Sequence, residues 1–194
     1  MTKDPIRRKV GRPRFWERYP LDQLSNAEWE AMIWGPYNGD RPKFYASWIE
    51  FCERYNPGMK FFLIDTWPAP GQVRMAFNLT ENPKSETFFT ETVYDKISVH
   101  ADTLFSDLVK TLRETTEKVY IIPTHAAFTE VAKRFLRGEL PGYKGLYKVI
   151  GGKDPSIWRD QIGHIHPGLE SLEGYVFYAT LYGKSPELIS KPIK

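Results

Sequence analysis

Lys60-Phe61-Phe62-Leu63-Ile64-Asp65-Thr66 lies between the turn signals Asn56-Pro57-Gly58 and Trp67-Pro68. A nearly continuous apolar run bounded in this way is the pattern of a parallel strand covered on both faces, not the alternation of a half-exposed one. Two similar segments flank it. Residues 29–34, WEAMIW, are stopped by Gly35-Pro36, and Val119-Tyr120-Ile121-Ile122 is closed by Pro123. Between the first two runs Pro42 can open a helix, and Phe44, Trp48, Ile49, Phe51, Cys52 and Tyr55 recur on one broad face. Between the second and third, residues 101–116 carry Leu104, Phe105, Leu108, Val109 and Leu112 at helical spacing. Thr124 can then cap a helix over residues 126–137 with Phe128, Val131 and Phe135 inward, and a last helix spans 169–182 with Leu172, Tyr175, Val176, Ala179 and Leu181. Residues 68–97 hold Pro68, Pro70, Gly71, Asn78, Asn82 and Pro83 and read as a long loop, while residues 158–167 read as irregular. The order predicts an α/β fold, a parallel sheet with helices on both faces.

Composition bounds the class. A chain of 194 residues with 41% hydrophobic and 26% charged residues excludes wholesale disorder, a collagen-like chain and a coiled-coil rod. Aromatic residues, at 15%, supply core and pocket surface alike. No run approaches the ~20 apolar residues of a membrane span, and no apolar stretch follows the basic residues of the N-terminus. As written the chain therefore carries no signal peptide and is expected in the cytoplasm, although a longer homologue could be secreted. The single Cys52 makes no internal disulfide, and with four His it anchors no cysteine-rich metal site, so neither metal nor cofactor is expected. Lys3, Arg7, Arg8, Lys9, Arg12 and Arg14 against Asp4 give the first fourteen residues +5, which leaves −2 for the rest of a chain of net charge +3. Residues 1–19 thus read as a basic, disordered arm and residues 20–194 as one α/β domain. Gly11-Arg12-Pro13 is similar to the core of an AT-hook, but Val10 stands where a further basic residue is usual; a solvated lead-in is preferred to DNA binding.

In an open parallel sheet the binding crevice lies beyond the carboxyl ends of the strands. Three segments stand out: Gly35-Pro36-Tyr37-Asn38-Gly39-Asp40, Asp65-Thr66-Trp67-Pro68, and Asp160-Gln161-Ile162-Gly163-His164-Ile165-His166-Pro167 before the last helix. The third is the most chemical. An imidazole beside a carboxylate is held in one tautomer and can act as a general base, and Asp-x-x-x-His allows that pairing within one loop turn. The competing readings are a capping or packing histidine and a metal shared by His164 and His166; no cysteine or second carboxylate cluster supports the metal.

Taken together, EWEAMIWGPYNGD (28–40), NPGMKFFLIDTWP (56–68), VYIIPTHAAFTEVAKRFLRGELPG (119–142) and IWRDQIGHIHPGLESLEGYVFYATLYGKSPELI (157–189) resemble the C-terminal two thirds of SGNH (GDSL-like) hydrolases. The resemblance implies a flavodoxin-like sheet with a serine nucleophile after its first strand. It also implies Gly and Asn donors to the oxyanion, and an Asp and a His before the last helix. Carried over, it makes Asn38, in a Gly35-x-x-Asn38-Gly-Asp block, the oxyanion donor, Asp160 the orienter, and His164 or His166 the base. The expected activity is hydrolysis of an O-acyl or O-acetyl ester, on a small molecule or a carbohydrate received by Trp67 and Trp158.

Two departures qualify it. The Asp-His spacing is one residue longer to His164, and three longer to His166, than the family's usual Asp-x-x-His. The blocks that carry the serine and the oxyanion Gly have no counterpart before Gly35, so the domain reads as truncated at its N-terminus, with a sheet edge left for self-association or a partner strand. Ser25, in Leu24-Ser25-Asn26-Ala27-Glu28, looks like a helix N-cap rather than a nucleophile. A non-catalytic binding or interaction protein on the same scaffold is the alternative reading, and DNA association through the arm a third.

Overall fold

The structure, a computed structural model, describes residues 22–36, 40–65, 67–160 and 162–188. The basic arm and its AT-hook-like segment lie outside the described residues. By its internal contacts the chain divides into two compact units, Met1–Leu63 with Ser106–Ile121, and Ile64–Phe105 with Ile122–Lys194.

The first unit is built on a three-stranded sheet of order β1-β2-β3, comprising β1 (Ala31–Trp34), β2 (Lys60–Ile64) and β3 (Val119–Ile122), whose last residues Ile64 and Ile122 fall in the second unit. β1 runs parallel to β2 in the register Ala31↔Lys60 to Trp34↔Leu63. β2 and β3 advance together, Phe61 N bonding Lys118 O at 2.9 Å and Asp65 N bonding Ile122 O at 3.2 Å, which is the parallel sense. Helix α1 (Pro42–Tyr55) starts where Pro42 occupies the first turn, and it ends at Asn56, whose N–H bonds Cys52 O ahead of Pro57-Gly58. Its Tyr45, Ile49 and Cys52 recur every three to four residues and pack with Phe61 and Leu63 of β2 and Val119 of β3. Cys52 is fully buried, its thiol pushed up to about 11 by burial, and it packs as a small apolar residue.

β1 falls within the strand expected over residues 29–34 and is covered on one side: Met32 and Trp34 turn inward, Trp34 stacking on Phe61 at 5.6 Å, while Ala31 and Ile33 are exposed. Asn56 holds the entry to β1, its Oδ1 accepting Trp29 N at 2.8 Å and its Nδ2 donating to Leu24 O at 2.8 Å. Ser25 lies inside the short helical stretch 22–26, not at its N-cap, and gives its hydroxyl to Asp22 O at 3.1 Å.

The second unit replaces the long loop expected over 68–97. It contains helix α2 (Pro70–Ala76), a 3-10 turn at Glu86–Phe88, and the start of helix α3 (Glu91–Leu112), which begins ten residues before the expected position. Pro70 stands at the first helical turn of α2, so the prolines that suggested a loop partly mark a helix start. Helix α4 (Thr124–Leu136) follows β3. Two strands of three residues, β4 (Gly145–Tyr147) and β5 (Ser156–Trp158), pair in parallel with Gly145 opposite Ser156 and Tyr147 opposite Trp158. A Cβ on Gly145 would lie 2.6 Å from Lys153 N, so only glycine allows that approach. Tyr147 stacks on Trp158 at 4.7 Å, Tyr94 donates to the Tyr147 hydroxyl at 3.1 Å, and the Tyr147 hydroxyl donates to Pro68 O. Helix α5 (Glu170–Tyr182) is apolar on every side, and none of its residues is fully buried; Leu172, Tyr175, Val176, Ala179 and Leu181 are half-buried.

Candidate functional site

Residues 159–166 form a loop tied off at its base. Trp158 and Ile165 make an antiparallel bridge, Arg159 N donates to His164 O at 2.9 Å, and His166 N donates to Ile157 O at 2.7 Å. The loop bends at Gly163, where φ is +89° and a Cβ would stand 3.0 Å from the Ala69 Cβ and 3.4 Å from that of Trp67. Glycine therefore serves twice here, through its backbone conformation and through close contact with residues 67–69.

Inside this loop Asp160 clamps His164 at two points. Its Oδ1 accepts the backbone N–H of His164 at 3.1 Å and that of Ile162 at 3.2 Å, and its Oδ2 lies 2.5 Å from His164 Nδ1. Partial burial works against ionisation of Asp160, but the hydrogen bonds from the His164 side chain and backbone outweigh it and hold the carboxyl below its ordinary range. An ionised carboxylate only accepts, so Nδ1 carries the proton and Nε2 of the neutral ring is the acceptor. Side-chain exposures of 39% for His164 and 37% for Asp160 leave the pair open to solvent.

The Trp67 indole meets the His164 ring edge to face, centroids 5.3 Å apart and planes at 60°, and packs edge-on against Phe128 at 6.4 Å. On α5, Glu173 is half-buried. Burial raises its carboxyl above the ordinary range. His166 is engaged differently: its Nδ1 accepts Gly168 N at 3.1 Å and so caps the turn Pro167–Leu169 that leads into α5, while Tyr143 sits edge-on to its ring at 5.6 Å.

Asp160, His164, His166 and Trp67 thus all belong to the second unit, His164 touching both Asp160 and Trp67 and His166 turned to a capping role. Of the expected oxyanion residues, Gly35 follows β1 in the first unit with open space where a side chain would stand, and Asn38 lies outside the described residues. Trp158, read as a second aromatic for a sugar, is wholly buried and contributes to the core. Among the described residues no three His, Cys, Asp or Glu side chains gather closely enough to hold a metal ion. A shallow cavity of about 240 Å³ lined by Pro70, residues 81–84, Val149 and Ile150 contains none of the expected site residues.

Sequence reading missed Glu173, and it named Asp65 in the second candidate segment without foreseeing what that carboxyl holds. Glu173 sits on a helix without a distinct polar face and gives no signal of its own. Asp65 ends β2 buried, accepting Thr124 Oγ1 at 2.7 Å and His125 N at 2.6 Å at the start of α4; a lone acid ending an apolar strand was the available sign. Thr124 accordingly serves Asp65 as a donor instead of capping its own helix. Comparison of the chain with protein-family models, with curated proteins and with solved structures finds no match in any of the three.

Proposed function

We propose that the chain carries the acid-base half of an SGNH-type ester-hydrolase site, with His164 as general base and Asp160 as its orienter. The observation that carries this reading is the double clamp of Asp160 on His164, one oxygen on the backbone N–H and the other 2.5 Å from Nδ1. A carboxylate so placed fixes the tautomer that leaves Nε2 free to take a hydroxyl proton, and it stabilises the imidazolium that forms. In an acyl transfer that proton comes from a serine hydroxyl as its oxygen attacks the ester carbonyl, and it is returned to the departing alcohol. His166, with Nδ1 committed to Gly168 N and no carboxylate partner in its turn, is the poorer candidate. On the same reading the sequential order β1-β2-β3 belongs to a flavodoxin-like sheet, and the substrate is an O-acyl or O-acetyl ester, free or on a carbohydrate.

The test is hydrolysis of an aryl acetate by the purified chain. Little turnover is expected of a chain with no identified serine nucleophile, and what there is should be lost by about 100-fold or more in His164→Ala, reduced in Asp160→Asn, and kept in His166→Ala. Turnover equal in wild type and His164→Ala would overturn the assignment. One observation favours the non-catalytic alternative: Ser25, the serine singled out upstream of β1, spends its hydroxyl on Asp22 O within its own helical turn. That alternative is supported if the chain binds an acylated sugar without any His164-dependent turnover.

A further inference from the structure

We propose that helix α5 is a self-association surface, through which two copies of the chain pair antiparallel about a two-fold axis. A helix that is apolar on every side is expected to be buried, and no residue of α5 is. Its stretch 174–183, GYVFYATLYG, carries no charge. Leu172 packs on the core cluster of the second unit. At about 100° per residue, Val176 and Ala179 share the side of Leu172, while Phe177 and Leu181 lie on the opposite one. Glu170, Gly174, Phe177 and Leu181 succeed one another at steps of four, three and four, the spacing of a seam between two helices. Past the helix end the apolar surface continues in Tyr182 and Leu188, which are 66% and 72% exposed.

Charge names the occupant as a second copy. Exposed Glu170 opens α5, and its one ion pair among the described residues is a loose 4.0 Å contact with Arg159. Exposed Lys184 follows the cap Gly183 at the other end and has no ionic partner among the described residues. A two-fold axis through Phe177 sets Glu170 of each copy opposite Lys184 of the other and stacks the two Phe177 side chains at the centre. A parallel pair would instead set like charges against each other at both ends.

The inference does not depend on the reading of His164, and its test is the oligomeric state of the full chain by sedimentation velocity. Three turns of helix make a small interface, so a reversible dimer with a Kd of about 10 to 100 µM is expected over a loading range of about 5 to 500 µM. Glu170→Lys and Lys184→Glu, both at exposed positions where folding is not at stake, should each raise Kd at least about 10-fold. An equimolar mixture of the two variants should recover the dimer, because each end of the pair then meets its opposite charge again. Leu181→Lys, in the middle of the seam, should give a monomer that no mixture rescues. A wild-type chain that stays monomeric over the whole range, as it would if another segment of the same chain covered α5, overturns the proposal. So does a dimer that survives all three substitutions, which places the interface elsewhere, and so does a mixture of the charge variants that remains monomeric.

Discussion

Replacing Asp65 by Asn is expected to stabilise the protein at neutral pH and to remove most of the pH dependence of its stability between pH 4 and 7. Asp65 is 9% exposed, and burial, assisted by the charge of Asp102, pushes its carboxyl up from 3.8 to about 6 despite the hydrogen bonds from Thr124 and His125. A folded-state pKa above the unfolded one means that the folded protein holds its proton longer. The associated stability is complete below pH 3.8 and is lost as pH rises through 6. The difference of about two pH units corresponds to about 3 kcal/mol at pH 7, of which about 2 kcal/mol or more is lost between pH 4 and 7. Asn carries no charge, and its Oδ1 can still accept from Thr124 Oγ1 and His125 N, the two donors that Asp65 Oδ1 serves. Urea unfolding at pH 4, 5, 6 and 7.5 reads the effect directly. Asp65→Asn should match wild type near pH 4 and exceed it by about 2 to 3 kcal/mol at pH 7.5. Asp65→Ala should fall below Asp65→Asn at every pH, because it leaves both donors unsatisfied at about 1 kcal/mol or more each. A wild-type stability that is flat or rising from pH 4 to 7, or a slope that persists in Asp65→Asn, would refute the reasoning.

Gly163→Ala should cost about 1 to 2 kcal/mol in urea unfolding, since φ is +89° and the new methyl group would meet Ala69, and it should blur the His164 tautomer more than any change in the first unit does; a silent Gly163→Ala would contradict the tight seat of the loop. Tyr147→Phe removes a hydroxyl that donates to Pro68 O and accepts from Tyr94, so destabilisation by about 1 to 3 kcal/mol is expected by the same assay, and a loss below about 0.5 kcal/mol would show that the buried tyrosine pair carries little.

What was legible in the sequence follows from how each segment is buried. β2 could be read because Phe61 and Leu63 turn to one cluster while Phe62 stacks on Tyr120 on the opposite side, which leaves an apolar residue at every position from Phe61 to Ile64. β1 was harder, since the inward Met32 and Trp34 alternate with Ala31 and an exposed Ile33, and all four are apolar in composition. The early part of α3 was missed because its buried residues Tyr94, Ile97 and Ala101 are separated by Asp95, Lys96, Ser98 and His100, so that a true helical period is diluted just where prolines and asparagines precede it. β4 and β5 are too short for any period to show. Their signal is one glycine, Gly145, whose necessity depends on residues eight and eleven positions away, Lys153 and Ser156.

The site divides along the same line. Asp160 and His164 are four residues apart in one loop, so their pairing is a local property that spacing can announce. The aromatic ring that bounds the face of the imidazole is not local. Trp67 comes from the segment after β2, about a hundred residues earlier in the chain, and no one-dimensional pattern brings that indole to the imidazole. The half of the site that is visible in sequence, Asp160, is also the carboxyl that hydrogen bonds hold below its ordinary range, so the two neighbours of His164 act on it by different means, one through Nδ1 and one through the face of its ring. Loss of Asp160 should act on the His164 tautomer directly, whereas Trp67→Phe should keep the Nδ1–Asp160 hydrogen bond and shift only the ring signals that an adjacent indole perturbs.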